Sequence, residues 1–116
     1  MKTPKPGSPV RGSTTGRPIM ALLDLLGRRT TLRILWELSQ QSLKFRPLQA
    51  AAETSPSVLN VRLGELKAAG LLESTEDGYR LTEIGRELTQ QILPLMRWAD
   101  KWAQALDRTA PGAQEP

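Results

Sequence analysis

The sequence predicts a mainly α-helical domain that carries one small β-hairpin. Three features between residues 45 and 82 indicate this fold class. Ser55-Pro56 opens a helix after a turn, Gly70 closes that helix, and Asp77-Gly78 supplies the turn of a hairpin. A helix, a turn, a second helix and a hairpin, in this order, outline a winged helix-turn-helix domain.

The composition limits the chemistry that the chain can perform. Its 116 residues suit one domain with its own core, and they include no cysteine and no histidine. Disulfides, thiolate chemistry, imidazole metal ligands and histidine acid–base catalysis are therefore excluded. No nucleophile–base pair, phosphate-binding loop or Asp-rich metal loop is present, so we expect neither an enzyme nor a bound cofactor or metal. No apolar run approaches the roughly 20 residues of a membrane-spanning helix, and a cytoplasmic location fits.

The excess positive charge lies in the first eighteen residues. Four of the 16 basic residues are there without an acidic one, which leaves 12 basic against 12 acidic residues in the remainder. Because this stretch is rich in proline and glycine, we expect residues 1–17 to form a disordered basic tail, followed by a domain over residues 18–108 and a flexible end over residues 109–116. The basic tail either adds phosphate contacts or is an ordinary solvated segment, and four dispersed charges favour the second alternative.

The first two helices follow from apolar spacing. We expect the first over residues 19–26, ended by Gly27, and the second over residues 28–41 with Thr30 or Thr31 as its N-cap. The core-facing side of the second helix is expected to carry Leu32, Leu35, Trp36 and Leu38.

The third and fourth helices form the predicted helix-turn-helix. Phe45 begins the third helix, whose inward residues are expected to be Leu48, Ala51 and Ala52. Ser55 is a good N-cap for the fourth helix, and Pro56 suits its first position. The apolar face of this fourth helix is formed by Leu59, Leu63 and Leu66.

The opposite face of the fourth helix has the character of a surface that reads DNA bases. The candidates for base contacts are Ser57, Asn60, Val61 and Gly64. Such a face is small and uncharged, whereas the solvated face of an ordinary amphipathic helix usually carries Glu, Lys and Arg. The pattern therefore favours recognition over a merely solvated face. The candidates for phosphate contacts are Lys44, Arg46, Gln49, Ser55, Arg62, Lys67 and Arg80.

A long final helix is expected from Thr82, as its N-cap, to about Arg108, with a kink at Pro94. Its apolar stripe extends beyond the reach of the short helix-turn-helix, and it packs either on a second copy or on the first helix of the same chain. The length of the stripe favours a homodimer. The candidate interface residues are Ile19, Leu22, Leu23, Leu26, Leu88, Ile92, Leu95, Met96, Ala99, Trp102, Ala103 and Leu106.

Several segments together resemble a known family. They are Leu22 to Leu38, the run Ser55-Pro56-Ser57-Val58-Leu59 with Arg62-Leu63 and Glu65-Leu66, the segment AAGLLE, and LTEIG at Leu81 to Gly85. This combination is similar to the HxlR-type winged helix-turn-helix regulators of bacteria and, more distantly, to MarR-type regulators. The resemblance implies a dimeric transcriptional regulator that binds a two-fold symmetric operator. It implies that the helix opening at Ser55-Pro56 is the recognition helix, that the hairpin is the wing, and that the first and last helices form the dimer interface.

The chain departs from that family pattern at three places. Thr30 stands where an aromatic residue is usual, and the cysteine that many members carry before the first helix is absent, which excludes direct thiol sensing. The wing is short and has an acidic tip at Glu76-Asp77, which phosphate would repel, so Arg80 is the better wing contact. The acidic tip and the neutral domain keep one alternative open, a winged-helix module that binds a protein partner.

Overall fold

The computed structural model describes residues 17–109, in which five helices and one hairpin follow each other along the chain. The elements are α1 (Pro18–Leu26), α2 (Thr31–Gln40), α3 (Phe45–Ala52), α4 (Pro56–Ala68), β1 (Leu72–Thr75), β2 (Gly78–Leu81) and α5 (Glu83–Thr109). The predicted fold class is confirmed. The predicted tail at residues 1–17 lies outside the described residues except for Arg17, and the predicted end at residues 109–116 lies outside them except for Thr109. Among the described residues, none of the helices combines the length and the apolarity that crossing a membrane requires.

The core lies where α2, α3 and α4 meet the hairpin. Leucines dominate it, and Ile34, Leu48, Leu59 and Leu66 are completely buried. Leu25 of α1 closes one side of this cluster. Burial of such side chains stabilises the fold by about 1.5–3 kcal/mol for each one, so the core fixes the outward face of α4 by holding its inward face.

The start of α2 differs from the prediction. The helix begins at Thr31 because residues 28–30 form a turn, in which the Thr31 amide donates to the Arg28 carbonyl at 3.2 Å. Thr30 occupies the N-cap position with φ +75° and makes no side-chain cap. Thr31 is buried instead of capping the helix. The predicted hydroxyl cap is therefore wrong, since the chain enters α2 through a left-handed residue that aims the Thr30 side chain elsewhere.

The core-facing side of α2 was predicted correctly at two of its four residues, Leu35 and Leu38. Ile34, Leu35 and Leu38 are buried, whereas Leu32 and Trp36 are 48% and 42% exposed. Both sets have helical spacing, and periodicity by itself does not decide which of two adjacent stripes meets the core. The exposed pair leaves an apolar surface on α2.

The prediction for α3 and α4 is confirmed in most details. The Ser55 hydroxyl accepts a hydrogen bond from the Val58 amide at 3.2 Å, which caps α4. Gly70, with φ +77°, follows the C-terminal end of α4 in the left-handed conformation that favours glycine. In α3, Leu48 and Ala52 are buried while Ala51 is only half-buried.

The hairpin turns at Glu76-Asp77, one residue earlier than predicted. Thr75 pairs with Gly78 across the turn, and the Thr75 hydroxyl accepts from the Asp77 amide and donates to the Gly78 carbonyl. Gly78 has φ +117°, and a Cβ there would overlap the backbone at Leu43. Gly78 lies in β2 rather than in the turn, because a residue without a Cβ is needed where the segment before α3 approaches the hairpin. Strand β1 begins at Leu72, directly after the buried Leu71.

A backbone bridge that the sequence did not predict joins the hairpin to the helix-turn-helix. Leu43 and Tyr79 exchange both backbone hydrogen bonds, at 3.1 and 2.7 Å. Leu43 lies two residues before α3, so the bridge fixes the hairpin against the start of that helix.

Helix α5 begins where predicted and continues through Pro94 without interruption. The Thr82 hydroxyl accepts from the Gly85 amide at 3.1 Å, as expected of an N-cap. Gly85 is buried against Leu71, where a Cβ would overlap the Leu71 carbonyl oxygen. The bend expected at Pro94 stays a prediction.

Candidate nucleic-acid interface

Helix α4 presents its predicted reading face to solvent. The four candidate base-reading residues, Ser57, Asn60, Val61 and Gly64, are all exposed, and Val61 is 52% exposed despite its apolar side chain. The buried leucines on the opposite face prevent the helix from turning about its axis. The face is therefore held outward by the core, as entry into a major groove requires.

Gly64 has no role in packing within the described part of the chain. A Cβ at this position would meet no heavy atom within 4 Å, in contrast with the Cβ at Gly85. A glycine in a helix interior destabilises the helix by about 1 kcal/mol relative to alanine. No contact in the described fold requires a residue without a Cβ at this position. The glycine is therefore explained best by a surface that approaches α4 from outside.

Three of the candidate phosphate contacts surround α3. Lys44 precedes the helix and Arg46 lies in its first turn, and both are exposed. Gln49 lies one turn further along and is half-buried.

Ser55, at the N-terminus of α4, already uses its hydroxyl oxygen for the cap, so it would offer a phosphate only the hydroxyl proton.

Lys67 lies at the C-terminal end of α4 and is exposed. Its Nζ atom is 5.1 Å from the centre of the Tyr79 ring, within the range of a cation–π contact. This contact places the ammonium group between α4 and the hairpin.

Arg62 is not brought to the reading face. Its Nε atom donates to the Arg29 carbonyl at 2.7 Å, and its guanidinium donates to the Glu65 carboxylate at 3.2 Å. The side chain is only 18% exposed. Its charge is compensated inside the protein, so it is a poorer source of phosphate contacts than Lys67 or Arg46.

The wing arginine is paired as well, but on the surface. Arg80 faces Glu73 on the neighbouring strand, with 2.7 Å between Nε and Oε2. The two side chains are 54% and 44% exposed, and an exposed ion pair contributes at most about 1 kcal/mol. A phosphate group can therefore compete with Glu73 for Arg80.

A cluster of charges that sequence analysis missed lies behind the reading face. Arg28, in the turn between α1 and α2, contacts Asp24 of α1 at 2.9 Å and Glu65 of α4 at 2.7 Å. These three side chains are 7%, 11% and 6% exposed. The spacing of Asp24 and Arg28 could have indicated their pair, but no local pattern connects Arg28 with a residue so far along the chain.

The second half of α5 exposes a continuous apolar surface. The exposed members are Leu95, Met96, Trp98, Trp102 and Leu106, each about half exposed. The rings of Trp98 and Trp102 stack with their centres 6.0 Å apart. This surface begins at an apolar groove of about 480 Å³ between α2 and α5, which is lined by Leu32, Arg33, Leu35, Trp36, Thr89, Ile92, Leu93 and Met96.

The candidate dimer residues fall into two groups. Leu88 and Ile92 pack partly against the core, as does Leu26 of α1, and Leu22 is also half-buried. The second group is exposed. On α1 it consists of Ile19 and Leu23, and on α5 it consists of Leu95, Met96, Ala99, Trp102, Ala103 and Leu106.

A helix-turn-helix with a paired hairpin behind it and an exposed reading face defines a winged helix-turn-helix, the class of DNA-binding transcriptional regulators. Comparison with known proteins identifies the particular family. Residues 25–107 match the HxlR-like helix-turn-helix family, and the chain belongs to it.

Two relatives are named HTH-type transcriptional regulators. An HTH-type transcriptional regulator of Methanocaldococcus jannaschii is 29% identical over 91 residues, which are 74% of this chain and 86% of that protein. An HTH-type transcriptional regulator of Mycobacterium tuberculosis is 33% identical over 94 residues, or 75% of this chain. The matched region spans only 60% of the mycobacterial protein. The chain is thus a transcriptional regulator with a DNA-binding winged helix-turn-helix.

Two solved structures share the fold. The quinone-bound YodB of B. subtilis superposes with a TM-score of 0.68 at 27% identity, over 72% of this chain and 96% of YodB. A homodimeric winged helix-turn-helix domain from Mycobacterium bovis superposes with a TM-score of 0.55 at 21% identity, over 83% of this chain and 95% of that domain. The second similarity supports the fold alone.

Proposed function

We propose that the protein binds a two-fold symmetric operator as a homodimer, with α4 of each copy in the major groove. The observation that carries this proposal is Gly64, which keeps the middle of the reading face free of side-chain atoms although no contact in the described fold requires it. Ser57 and Asn60 would hydrogen-bond to base edges, and Val61 would contact a thymine methyl group.

The phosphate contacts are assigned to the exposed cations around α4. Lys44 and Arg46 would contact the backbone on the α3 side, and Lys67 would contact it near the hairpin. Arg80 would exchange Glu73 for a phosphate. Arg62 stabilises the fold through its bonds to Arg29 and Glu65. We therefore expect its substitution to change DNA affinity only indirectly, by disturbing the fold.

The homodimer is supported by the apolar side of α5. Half-exposed tryptophan, leucine and methionine side chains form an apolar surface along its second half, beyond the core. Solvent-exposed apolar surface that is continuous over several turns marks an interaction site. A second copy covers it through α5 and the exposed residues Ile19 and Leu23 of α1. Two copies also double the number of cations in a domain that has little net charge, which makes binding to both half-sites stronger than binding to one.

Selection of bound sequences from random duplex DNA tests this proposal. A symmetric motif with two half-sites about one helical turn apart is expected. Affinity for the selected site should fall steeply as the salt concentration rises, because phosphate contacts release counterions. Absence of DNA binding at low salt would overturn the proposal.

A second function, binding of a protein partner without sequence-specific DNA binding, is favoured by one feature. The wing arginine is neutralised by Glu73, and the turn at its tip consists of two carboxylates, Glu76 and Asp77. If this function holds, random-DNA selection should yield no enriched motif although the protein is folded.

A further inference from the structure

The buried charge cluster behind α4 consists of two arginines and two carboxylates. Arg28 contacts Asp24 and Glu65 at 2.9 and 2.7 Å, and Arg62 contacts the other carboxylate oxygen of Glu65 at 3.2 Å. Three of the four side chains are almost completely removed from water. The charges cancel in the cluster, which is the condition for tolerating charges in a protein interior.

The cluster joins the end of α1 and the turn after it to a residue of α4 that is distant in sequence. Asp24 lies on α1, Arg28 lies in the turn before α2, and Glu65 lies on α4. A second bond reinforces this connection, because Arg62 of α4 donates to the backbone carbonyl of Arg29 in the same turn at 2.7 Å. Helix α4 therefore holds the turn at two adjacent residues. Glu65 forms an ion pair with the Arg28 side chain, and the Arg62 side chain donates a hydrogen bond to the Arg29 carbonyl.

Contacts of this kind constrain orientation more strongly than apolar packing does. Leucines of a core can slide by a fraction of an ångström and still stay buried, whereas a dehydrated ion pair loses most of its energy when its atoms separate. The guanidinium of Arg28 reaches two carboxylates at once. Its Nη2 atom donates a hydrogen bond to Asp24, and its Nη1 atom forms a close ion pair with Glu65.

We infer that Arg28, Asp24 and Glu65 are positioning residues that fix the orientation of the recognition helix α4 relative to α1. This inference rests on the proposed function, in which α1 belongs to the dimer interface. If α1 is held to the second copy and α4 is held to α1, the cluster sets the distance between the two recognition helices. The cluster thereby determines which spacing of half-sites the dimer accepts.

The test uses a variant that removes all charges of the cluster except that of Arg62, Asp24→Asn/Arg28→Met/Glu65→Gln, in the full chain. The three most buried charges are removed together. The remaining Arg62 is 18% exposed and keeps its hydrogen bond to the Arg29 carbonyl, so the variant is expected to fold. The matched control is Arg33→Met/Glu37→Gln, which removes an Arg–Glu pair at 2.9 Å that lies within α2, away from α4. Circular dichroism and thermal unfolding establish that each variant is folded.

The readout is binding to a series of duplexes in which the two selected half-sites are separated by spacers of different length. The wild-type protein and the control should prefer one spacing by about tenfold, a coupling of ordinary size between two sites. The cluster variant should bind neighbouring spacings nearly equally well, while its affinity for a single half-site stays within about twofold of the wild-type value. A role in stability alone would lower the unfolding temperature and leave the spacing preference unchanged, and that result would overturn the inference.

If the triple variant does not fold, the conservative substitution Arg28→Lys tests whether Arg28 fixes the orientation of α4. Lysine keeps the positive charge but cannot bridge two carboxylates in a planar geometry. We expect a folded protein with a broadened spacing preference, and a preference equal to that of the wild type would again overturn the inference. If the wild-type protein selects no paired half-sites at all, the proposed function fails first, and the inference fails with it.

Discussion

The hydroxyl group of Thr82 donates a hydrogen bond to the carbonyl oxygen of Gly70 at 2.6 Å. The hydroxyl oxygen of Thr82 also accepts a hydrogen bond from the Gly85 amide at 3.1 Å, so a single side chain connects the end of the recognition helix with the start of α5. The hairpin is thereby closed at its base by a threonine that also caps a helix. This relationship places α5, the proposed dimerisation helix, in a fixed position relative to α4.

We predict that Thr82→Val lowers the free energy of unfolding by about 1–2 kcal/mol, because it removes an N-cap and leaves the Gly70 carbonyl without this donor. Urea unfolding monitored by circular dichroism measures the change. Thr82→Ser keeps the hydroxyl and serves as the control, which should retain most of the stability. Equal losses for both variants would show that the methyl group, not the hydroxyl, contributes the stability.

Thr31→Val should have the opposite effect. Thr31 is completely buried, and its hydroxyl oxygen has no hydrogen-bond partner among the described residues. Replacing an unsatisfied buried hydroxyl by a methyl group of similar size is expected to raise the free energy of unfolding by about 1 kcal/mol. The same urea titration measures it, and a loss of stability would indicate that the hydroxyl finds a partner in solution.

The substitution Gly64→Ala separates folding from DNA binding. Alanine should raise the free energy of unfolding by up to about 1 kcal/mol, since the added Cβ meets nothing in the described chain and alanine favours the helix. Affinity for the selected operator should nevertheless fall, because the methyl group occupies space that the DNA approaches. Fluorescence anisotropy with labelled duplex measures this loss. Unchanged operator affinity would remove Gly64 from the reading face.

Gly85→Ala is the comparison for that experiment. Its Cβ would overlap the Leu71 carbonyl oxygen, and backbone atoms cannot yield as a flexible side chain does. We expect a loss of about 1–3 kcal/mol or more, measured by the same unfolding titration. The two glycines should therefore change stability in opposite directions although both lie inside helices.

Base contacts and phosphate contacts are distinguished by Asn60→Ala and Lys67→Ala. The first should change the preferred sequence by weakening discrimination at one position of the half-site, by about 1–3 kcal/mol. The second should weaken binding to all sequences alike and reduce the dependence on salt by about one phosphate contact. Selection from random DNA and salt titrations measure the two effects. A uniform loss of affinity in both variants would place the reading face elsewhere.

The proposed dimer is tested by Trp102→Glu in α5. Trp102 is 54% exposed and lies outside the core cluster, so a charge there should leave the fold intact and prevent association. Sedimentation velocity should show a monomer with weakened operator binding. Lys101→Glu, also exposed on α5, is the control and should remain dimeric. If the wild-type protein and both variants sediment alike, the apolar side of α5 is not the dimer interface.

Local chemistry in the sequence was sufficient to determine most of the helix-turn-helix. The cap at Ser55, the left-handed Gly70, the buried Leu59 and Leu66, and the cap at Thr82 all depend on neighbours within a few residues. Interactions of this range are encoded in residue type and spacing. For the same reason, the face of α4 opposite its leucines was predicted correctly to be exposed.

The tertiary structure decided which surfaces meet and which charges pair. Several apolar residues of α2 have helical spacing, and only the tertiary packing buried Ile34 and left Leu32 and Trp36 at the groove beside α5. Arg62 is of a residue type that contacts phosphate, but the fold brings the Arg29 carbonyl within reach of its side chain. The fold also brings Glu65 to Arg28. Helical periodicity determines which residues share a face, but the partner of that face comes from a distant part of the chain, and so does the partner of a buried charge.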